Sequence, residues 1–394
     1  EHVDLVCYSS AVTADNPELQ EASRRHIPIL KRAELLALLA REQTLLAVAG
    51  SHGKTTTTAL LSHVLQELGY APSACIGGVS LNYGRIAWWG KDLFVAEVDE
   101  SDGSFLYFKP DYAIVTNIDR EHLDFYRDEK DIKESFTRFI GGVKKMTFGC
   151  GDDANTRQIL KQFSAAETYG VSAENSVYAA NIVANASGSV YEAVFRKGQR
   201  RIVDIRFPLL GMHNVLNSLA VMALLESMGI DPEDVKRTFI RFKGTKRRFQ
   251  IKADENGVLF VDDYAHHPAE IRATLSSARF FQRRVVAVFE PHRYSRFSAL
   301  TDEFRSSFDE SDVVIVTDIY AASERRLPGT DIAGFCEELA ARIHKPVYWV
   351  PDGDPQRIAS YIQEGDIVVA LGAGRISEVL DDVIRGFKKA KSLH

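Results

Sequence analysis

The sequence predicts an α/β protein of two main domains, each built on a mostly parallel sheet, preceded by the tail of a third. Three observations predict it. Apolar runs of strand length alternate with stretches of helical periodicity through most of the chain. One such strand runs through a glycine loop into Lys-Thr and a helix. Several other strands end abruptly in polar clusters, as parallel strands do where they border a ligand crevice.

The 394 residues exceed what a single core usually organises. Hydrophobic residues at 45% and charged residues at 26% describe an ordinary globular chain. A net charge of −6 gives no basis for nucleic-acid binding. No apolar run is long enough to span a bilayer, so membrane insertion is not expected. Cys7, Cys75, Cys150 and Cys336 are widely spaced with no Cys-x-x-Cys pair. They read as reduced thiols of a cytoplasmic protein rather than a disulfide framework or zinc knuckle.

The first 30 residues offer a strand at Val3–Tyr8, a short helix at Asn16–Arg25 and a further strand at Ile27–Leu30. Residues 31–42 read as a helix. This is too little for a domain, and we read residues 1–43 as the remnant of a larger N-terminal domain with its linker.

Leu45–Val48 reads as a buried strand, Gly50-Ser51-His52-Gly53 as a turn, and Lys54-Thr55 as a helix start. Leu61, Val64, Leu65 and Leu68 then recur at helical spacing, and Gly69 is placed to end the helix. The first N–H groups of a helix lack intrahelical partners and carry the positive end of its dipole, so this layout suits phosphate. Lys54 is placed to neutralise outer phosphates and the Thr55 hydroxyl to ligate Mg²⁺. The usual pattern starts with a glycine where this chain has Val48, so the loop is a shortened form of it.

Leu93–Val98 and Tyr112–Thr116 are nearly continuous apolar runs, as strands buried on both faces are. Glu97 stands near the end of the first. A buried carboxylate needs a partner, and Mg²⁺ beside a phosphate loop or a nearby basic side chain would each serve. Asp99, Glu100 and Asp102 read as solvated or turn-capping residues. His122, three residues after Asp119, suits a metal or phosphate contact, or a plain capping role. Residues 176–207 change to short β-type runs with Ser/Asn/Gly turns, an antiparallel insert. A helix over 214–228 follows. Asn214 there suits a helix cap, and an amide near His213, Asn214 and Asn217 equally suits an adenine edge.

Arg241–Arg248 is a basic connector and the predicted boundary between a domain at 44–245 and one at 246–394. Strands at Val258–Val261, Val285–Phe289, Val313–Thr317, Val347–Val350 and Ile367–Leu371 alternate with helices. Asp262–Pro268 and Glu290–Arg296 each leave a strand just before a helix, and Pro268 suits a first helical turn. The two exits are expected to lie side by side. They would bring together His266, His267, His292, Arg293 and Arg296, with arginines suited to carboxylate or phosphate and aspartates to an amine. Gly372-Ala-Gly374 reads as a tight turn.

Taken together, these residues resemble the Mur ligases of bacterial cell-wall synthesis. The resemblance rests on Gly50–Thr58, Glu97–Asp102, Asn117–Asp124, His213–Asn217, Arg247–Gln250, Asp262–Pro268 and Pro291–Arg296, and it spans essentially the whole chain. It implies a central P-loop ATPase domain, a C-terminal Rossmann-like α/β lid domain and the tail of a UDP-sugar-binding domain. It implies, for the alanine-adding branch, joining of L-alanine to the carboxylate of UDP-N-acetylmuramate with ATP split to ADP and phosphate. By the same resemblance, Gly50, Ser51, His52, Gly53, Lys54, Thr55 and Thr56 hold the ATP phosphates. Thr55, Glu97 and His122 are implied around Mg²⁺. His213, Asn214 and Asn217 are implied near adenine, and Arg248 at the phosphates. His267, Arg293 and Arg296 are implied around the amino acid and an acyl-phosphate intermediate.

Ser51 stands where the family has threonine, and Ala265 where it has glycine. The family's glycine-rich N-terminal segment is not in the sequence, so weak binding of the UDP-sugar is expected of the residues given. Two other readings remain. One is a sister ligase that attaches a murein peptide to the same sugar. The other is a non-catalytic ATP-binding switch, which would need the loop but not the histidine–arginine clusters. A nicotinamide dehydrogenase is disfavoured, because the loop lacks Gly-x-Gly-x-x-Gly.

Overall fold

The computed structural model describes residues 3–119, 121 and 125–391. Contacts divide the chain into two compact units, one of residues 1–183, 190–208 and 212–243, the other of 184–189, 209–211 and 244–394.

The first unit carries a ten-stranded sheet. Its order is Arg200–Phe207, Gly188–Phe195, Val177–Asn185, Ala166–Gly170, Met146–Cys150, Tyr112–Val115, Thr44–Ala49, Leu93–Glu97, Ser73–Cys75, Ala87–Trp88. From Val177–Asn185 to Ser73–Cys75 every neighbouring pair is parallel, and the two-residue edge strand Ala87–Trp88 is antiparallel. Thr44–Ala49 lies in the middle, with Val48 opposite Glu97 on one side and Ile114 on the other. Leu45 to Ala49 are all buried, which is why an unbroken apolar run is stable there. The strands on its two sides come later in the chain, so the order switches at this strand, and the crevice beyond its carboxyl end is where such sheets hold ligands.

The helix Lys54–Glu67 packs so deeply that every residue from Thr55 to Leu65 is buried. Residues 3–43 fold as a small parallel pair, Val6–Tyr8 with Ile29–Lys31, and helices Pro17–Arg24 and Arg32–Leu39. Neither strand of this pair has a fully buried residue.

The second unit has a six-stranded sheet in the order Gln250–Glu255, Val258–Asp263, Ile367–Leu371, Val285–Phe289, Val313–Val316, Val347–Trp349. All pairs but the first are parallel. Alternate residues of its strands feed separate apolar cores on its two faces: Val261, Ala287 and Val369 on one, Phe260, Val288 and Val368 on the other. This is a doubly wound α/β layer, and the α/β class expected from the sequence is correct. The sequence missed the antiparallel edge strand Gln250–Glu255, whose polar residues are only partly buried and give no apolar run. The exits after Asp263 and Phe289 are not adjacent as expected. Strand Ile367–Leu371 lies between them, with Leu371 paired to both residues.

Candidate functional site

In the first unit the glycine loop is built by two backbone demands. Gly50 has φ +126° and a side chain there would collide with Thr116 and Asn117. Gly53, the residue before the helix, has φ +85°, and a Cβ on it would stand 2.8 Å from Asn217 Oδ1. Glycine alone meets both conditions. The exit of strand Tyr112–Val115 then grips the loop. Ser51 N–H donates to the Asn117 carbonyl at 3.0 Å, and His52 N–H to Asn117 Oδ1 at 2.9 Å. Thr116 Oγ1 and Asn117 Nδ2 both donate to the His52 carbonyl, at 2.5 and 3.1 Å. The Asp119 N–H donates to Ser51 Oγ at 2.8 Å. The His52 ring faces carboxylates of Glu121 and Asp119, at 3.5 and 3.6 Å.

Lys54 Nζ donates to the carbonyls of Gly50 at 2.6 Å and Ser51 at 3.2 Å, and lies 2.9 and 2.8 Å from the two Glu100 oxygens. Burial works against its charge, but the Glu100 and Asp99 carboxylates outweigh this, and its pKa is pushed up to about 12. Glu100 is not the solvated turn residue expected from the sequence, because its side chain is 2% exposed and pairs with Lys54. Asp99 and Asp102 do serve the turn, accepting from the N–H groups of Ser101 and Ser104.

Thr55 Oγ1 donates to Glu97 Oε1 at 3.0 Å, and Gly77 N–H donates to Glu97 Oε2 at 2.6 Å. A hydroxyl and a fixed carboxylate at the start of the helix form a set of hard oxygen donors, which suits Mg²⁺. His122 lies outside the described residues. Thr56 is buried in the first turn of the helix.

The helix expected over 214–228 runs Met212–Ser227. Asn214 is therefore inside it rather than capping it. Its Oδ1 accepts from Asn217 Nδ2 at 3.2 Å, and its Nδ2 lies 3.1 Å from His213 Nε2. Both asparagines are buried, and Asn217 sits directly under Gly53, which ties this helix to the loop.

In the second unit the exits are drawn together over a glycine turn. A side chain at Gly374 would overlap the Glu290 carboxylate and the Tyr320 ring. With glycine there, the His266 ring stands 5.6 Å from that of His292, which stacks on Tyr320 at 5.7 Å. Arg296 Nη1 lies 3.0 Å from His292 Nδ1. A guanidinium only donates, so His292 Nδ1 is an acceptor and the ring is neutral. Burial, then His266 and Arg296, pushes its pKa down to about 3. His266 Nδ1 lies 2.9 Å from the Tyr264 carbonyl, which only accepts, so Nδ1 carries the proton and Nε2 the lone pair. Burial outweighs the nearby Glu270 carboxylate and pushes that pKa down to about 4.

Arg293 precedes helix Tyr294–Ala299 with φ 66°, its N–H donating to the Tyr320 carbonyl at 2.8 Å. His267 opens helix Pro268–Ala278, with its N–H directed at Glu270 Oε2 at 3.3 Å. Arg248 lies over the Tyr264 ring at 5.2 Å and 3.8 Å from Glu270. The aspartates expected to face an amine are engaged within the unit. Asp262 accepts from Ser377 Oγ at 2.6 Å, and Asp263 accepts the N–H groups of Phe249 and Ala265 at 2.6 and 2.8 Å. The sequence thus missed Glu100 and Gly77 in the first unit, and under-read Tyr264, His266 and Tyr320 in the second. Only the position of these residues at strand exits signalled them.

Known proteins resemble this chain over most of its length. Family profiles match as the Mur ligase family catalytic domain over residues 1–44, the Mur ligase middle domain over 48–225 and the Mur ligase glutamate ligase domain over 247–374. The chain is 43% identical over 383 residues to a UDP-N-acetylmuramate–L-alanine ligase of Pelobacter propionicus, covering 95% of this chain and 83% of that one. Among solved structures it is similar to a UDP-N-acetylmuramate–alanine ligase of Thermotoga maritima, with TM-score 0.83, 28% identity, 98% of this chain and 86% of that one. A MurF ligase of Thermotoga maritima, solved in complex with ADP, shares the fold at TM-score 0.72 and 20% identity, covering 98% of this chain and 95% of that one. A relative this close across nearly all of the sequence leaves one conclusion: the chain belongs to the Mur ligase family.

Proposed function

We propose that this chain joins L-alanine to the carboxylate of UDP-N-acetylmuramate at the expense of ATP, in the cytoplasm, as a step in making peptidoglycan precursors. The observation that carries the reading is the 43% identity, over 95% of this chain, to a relative of that name. Lys54, Thr55 and Glu97, held together at one end of the central sheet, support it. A muramate carboxylate oxygen attacks the γ-phosphorus of ATP, the bond to the bridging oxygen breaks, and ADP leaves. The neutral amine of L-alanine then attacks the acyl carbon, phosphate leaves, and the amine gives up a proton.

In this reading the N–H groups of residues 50–56 and the Lys54 ammonium bind the ATP phosphates. Thr55 and Glu97 would hold Mg²⁺, which when bound supplies positive charge to the transferring oxygens. Asn214 and Asn217, with His213, take the adenine side. Arg248 would serve the phosphates, and His267, Arg293 and Arg296 the amino acid and the acyl phosphate, with His266 and His292 as neutral neighbours. We read residues 44–245 as the ATP-binding domain and 246–394 as the lid, which excludes water from a hydrolysable intermediate.

Supplying UDP-N-acetylmuramate labelled with ¹⁸O in its carboxylate tests the acyl phosphate. One labelled oxygen should appear in the released phosphate for each amide formed. Unlabelled phosphate would contradict the scheme.

A further inference from the structure

The Lys54 ammonium has three N–H bonds, and all find protein acceptors. Two face the loop carbonyls of Gly50 and Ser51, and the third faces the Glu100 carboxylate. The loop carbonyls are part of the cradle itself. Glu100 is not: it comes from the exit of strand Leu93–Glu97, 46 residues away in sequence. Its backbone is fixed, since its carbonyl accepts from Tyr126 Oη at 2.6 Å and from Gly103 N–H at 2.9 Å. The pair is shielded, with side-chain exposures of 12% for Lys54 and 2% for Glu100. An incoming phosphate is an anion competing with an anion for the same cation. A phosphate oxygen that takes the third N–H bond must displace Glu100.

We propose that Glu100 is a positioning residue that latches Lys54 in the nucleotide-free protein, so that a nucleoside di- or triphosphate engages Lys54 only after this ion pair opens. The proposal rests on the reading of Lys54 as the phosphate-binding cation. Its consequence is a weaker apparent nucleotide affinity, because the binding-competent state is only a fraction of the free protein. The latch also keeps a charged lysine solvated by protein when no nucleotide is present.

The test is titration of the full chain with ADP in the presence of Mg²⁺, by calorimetry, for the wild type, Glu100→Gln and Glu100→Asp. Gln removes the charge. Asp keeps it but draws the carboxylate back by one methylene. Opening a latch predicts that both variants bind ADP about tenfold tighter, the size of one charge-assisted hydrogen bond. In a Lys54→Met background the same two changes should leave ADP affinity unmoved. Simple repulsion between Glu100 and phosphate predicts tightening by Gln alone, and that result overturns the latch, as does no change or weakening in either single variant. Thermal melting checks that each variant is folded. A wild-type chain that binds no ADP would overturn the reading of Lys54 and the latch with it. ADP binding that ignores Glu100 overturns the latch alone.

Discussion

Thr55 and Glu97, 42 residues apart, meet through a hydrogen bond of 3.0 Å from Thr55 Oγ1 to Glu97 Oε1. The remaining carboxylate oxygen takes the Gly77 N–H. Neither residue's neighbours in sequence encode this meeting. The pairing of Val48 with Glu97 brings the end of one strand beside the start of the helix that follows the other.

That relationship predicts the effect of Glu97→Gln. The substitution keeps the shape and most hydrogen bonds but removes the charge that Mg²⁺ requires. Turnover should fall by about 10²-fold or more, with a higher Mg²⁺ concentration needed for half-maximal rate. Steady-state rates across a Mg²⁺ titration check it, and an unchanged Mg²⁺ requirement would separate Glu97 from the metal.

Gly77→Ala is predicted to act through the same carboxylate. A Cβ at this position would occupy the space of the Glu97 carboxyl group, while Gly77 itself is exposed. The expected outcome is a raised Mg²⁺ requirement with little loss of thermal stability. A large drop in melting temperature with an intact Mg²⁺ response would show that the glycine serves folding instead.

Lys54→Met should abolish turnover and also destabilise the chain. Glu100 would be left buried without its cation, at a cost of about 3 kcal/mol. Adding Glu100→Gln to this variant should restore much of the stability and none of the activity. Chemical denaturation and turnover of the two variants read these separately.

Acid should weaken the second unit through its histidines. His266 has a folded-state pKa of about 4 against an ordinary 6.5, so the unfolded chain binds the proton more readily. The stability it contributes is complete above pH 6.5 and drains away as pH falls toward 4, with about 2 kcal/mol gone by pH 5. His292 acts in the same direction. Asp263 opposes them: burial raises its pKa to about 6, so it loses stability as pH rises from 3.8 to 6. His266→Asn should therefore shrink the difference in unfolding free energy between pH 7 and pH 5 by about 2 kcal/mol. An unaltered difference would mean that His266 titrates normally.

Local signals were legible in the sequence and non-local ones were not. The loop Gly50–Thr58 was readable because strand, turn and helix are contiguous there, and five strands of the second sheet were readable as apolar runs. The polar edge strand Gln250–Glu255 had no such run. Glu100 looked like a turn residue because its partner Lys54 lies on a different strand–helix unit. The order of strands in the second sheet decides that Gly372–Gly374 lies between the two histidine-bearing exits, and no local pattern encodes that order. Asn214 carried the composition of a cap, but the helix begins two residues earlier, so its amide turns to Asn217.

Ligation of L-alanine is read by incubating the chain with Mg²⁺ and ATP, and measuring ADP together with the mass of the UDP-sugar, with each substrate omitted in turn. One ADP should appear for each L-alanine residue added to UDP-N-acetylmuramate, and negligible ADP when either the sugar or L-alanine is left out. ADP release that ignores L-alanine, or a chain that adds a murein tripeptide and leaves L-alanine untouched, would contradict it.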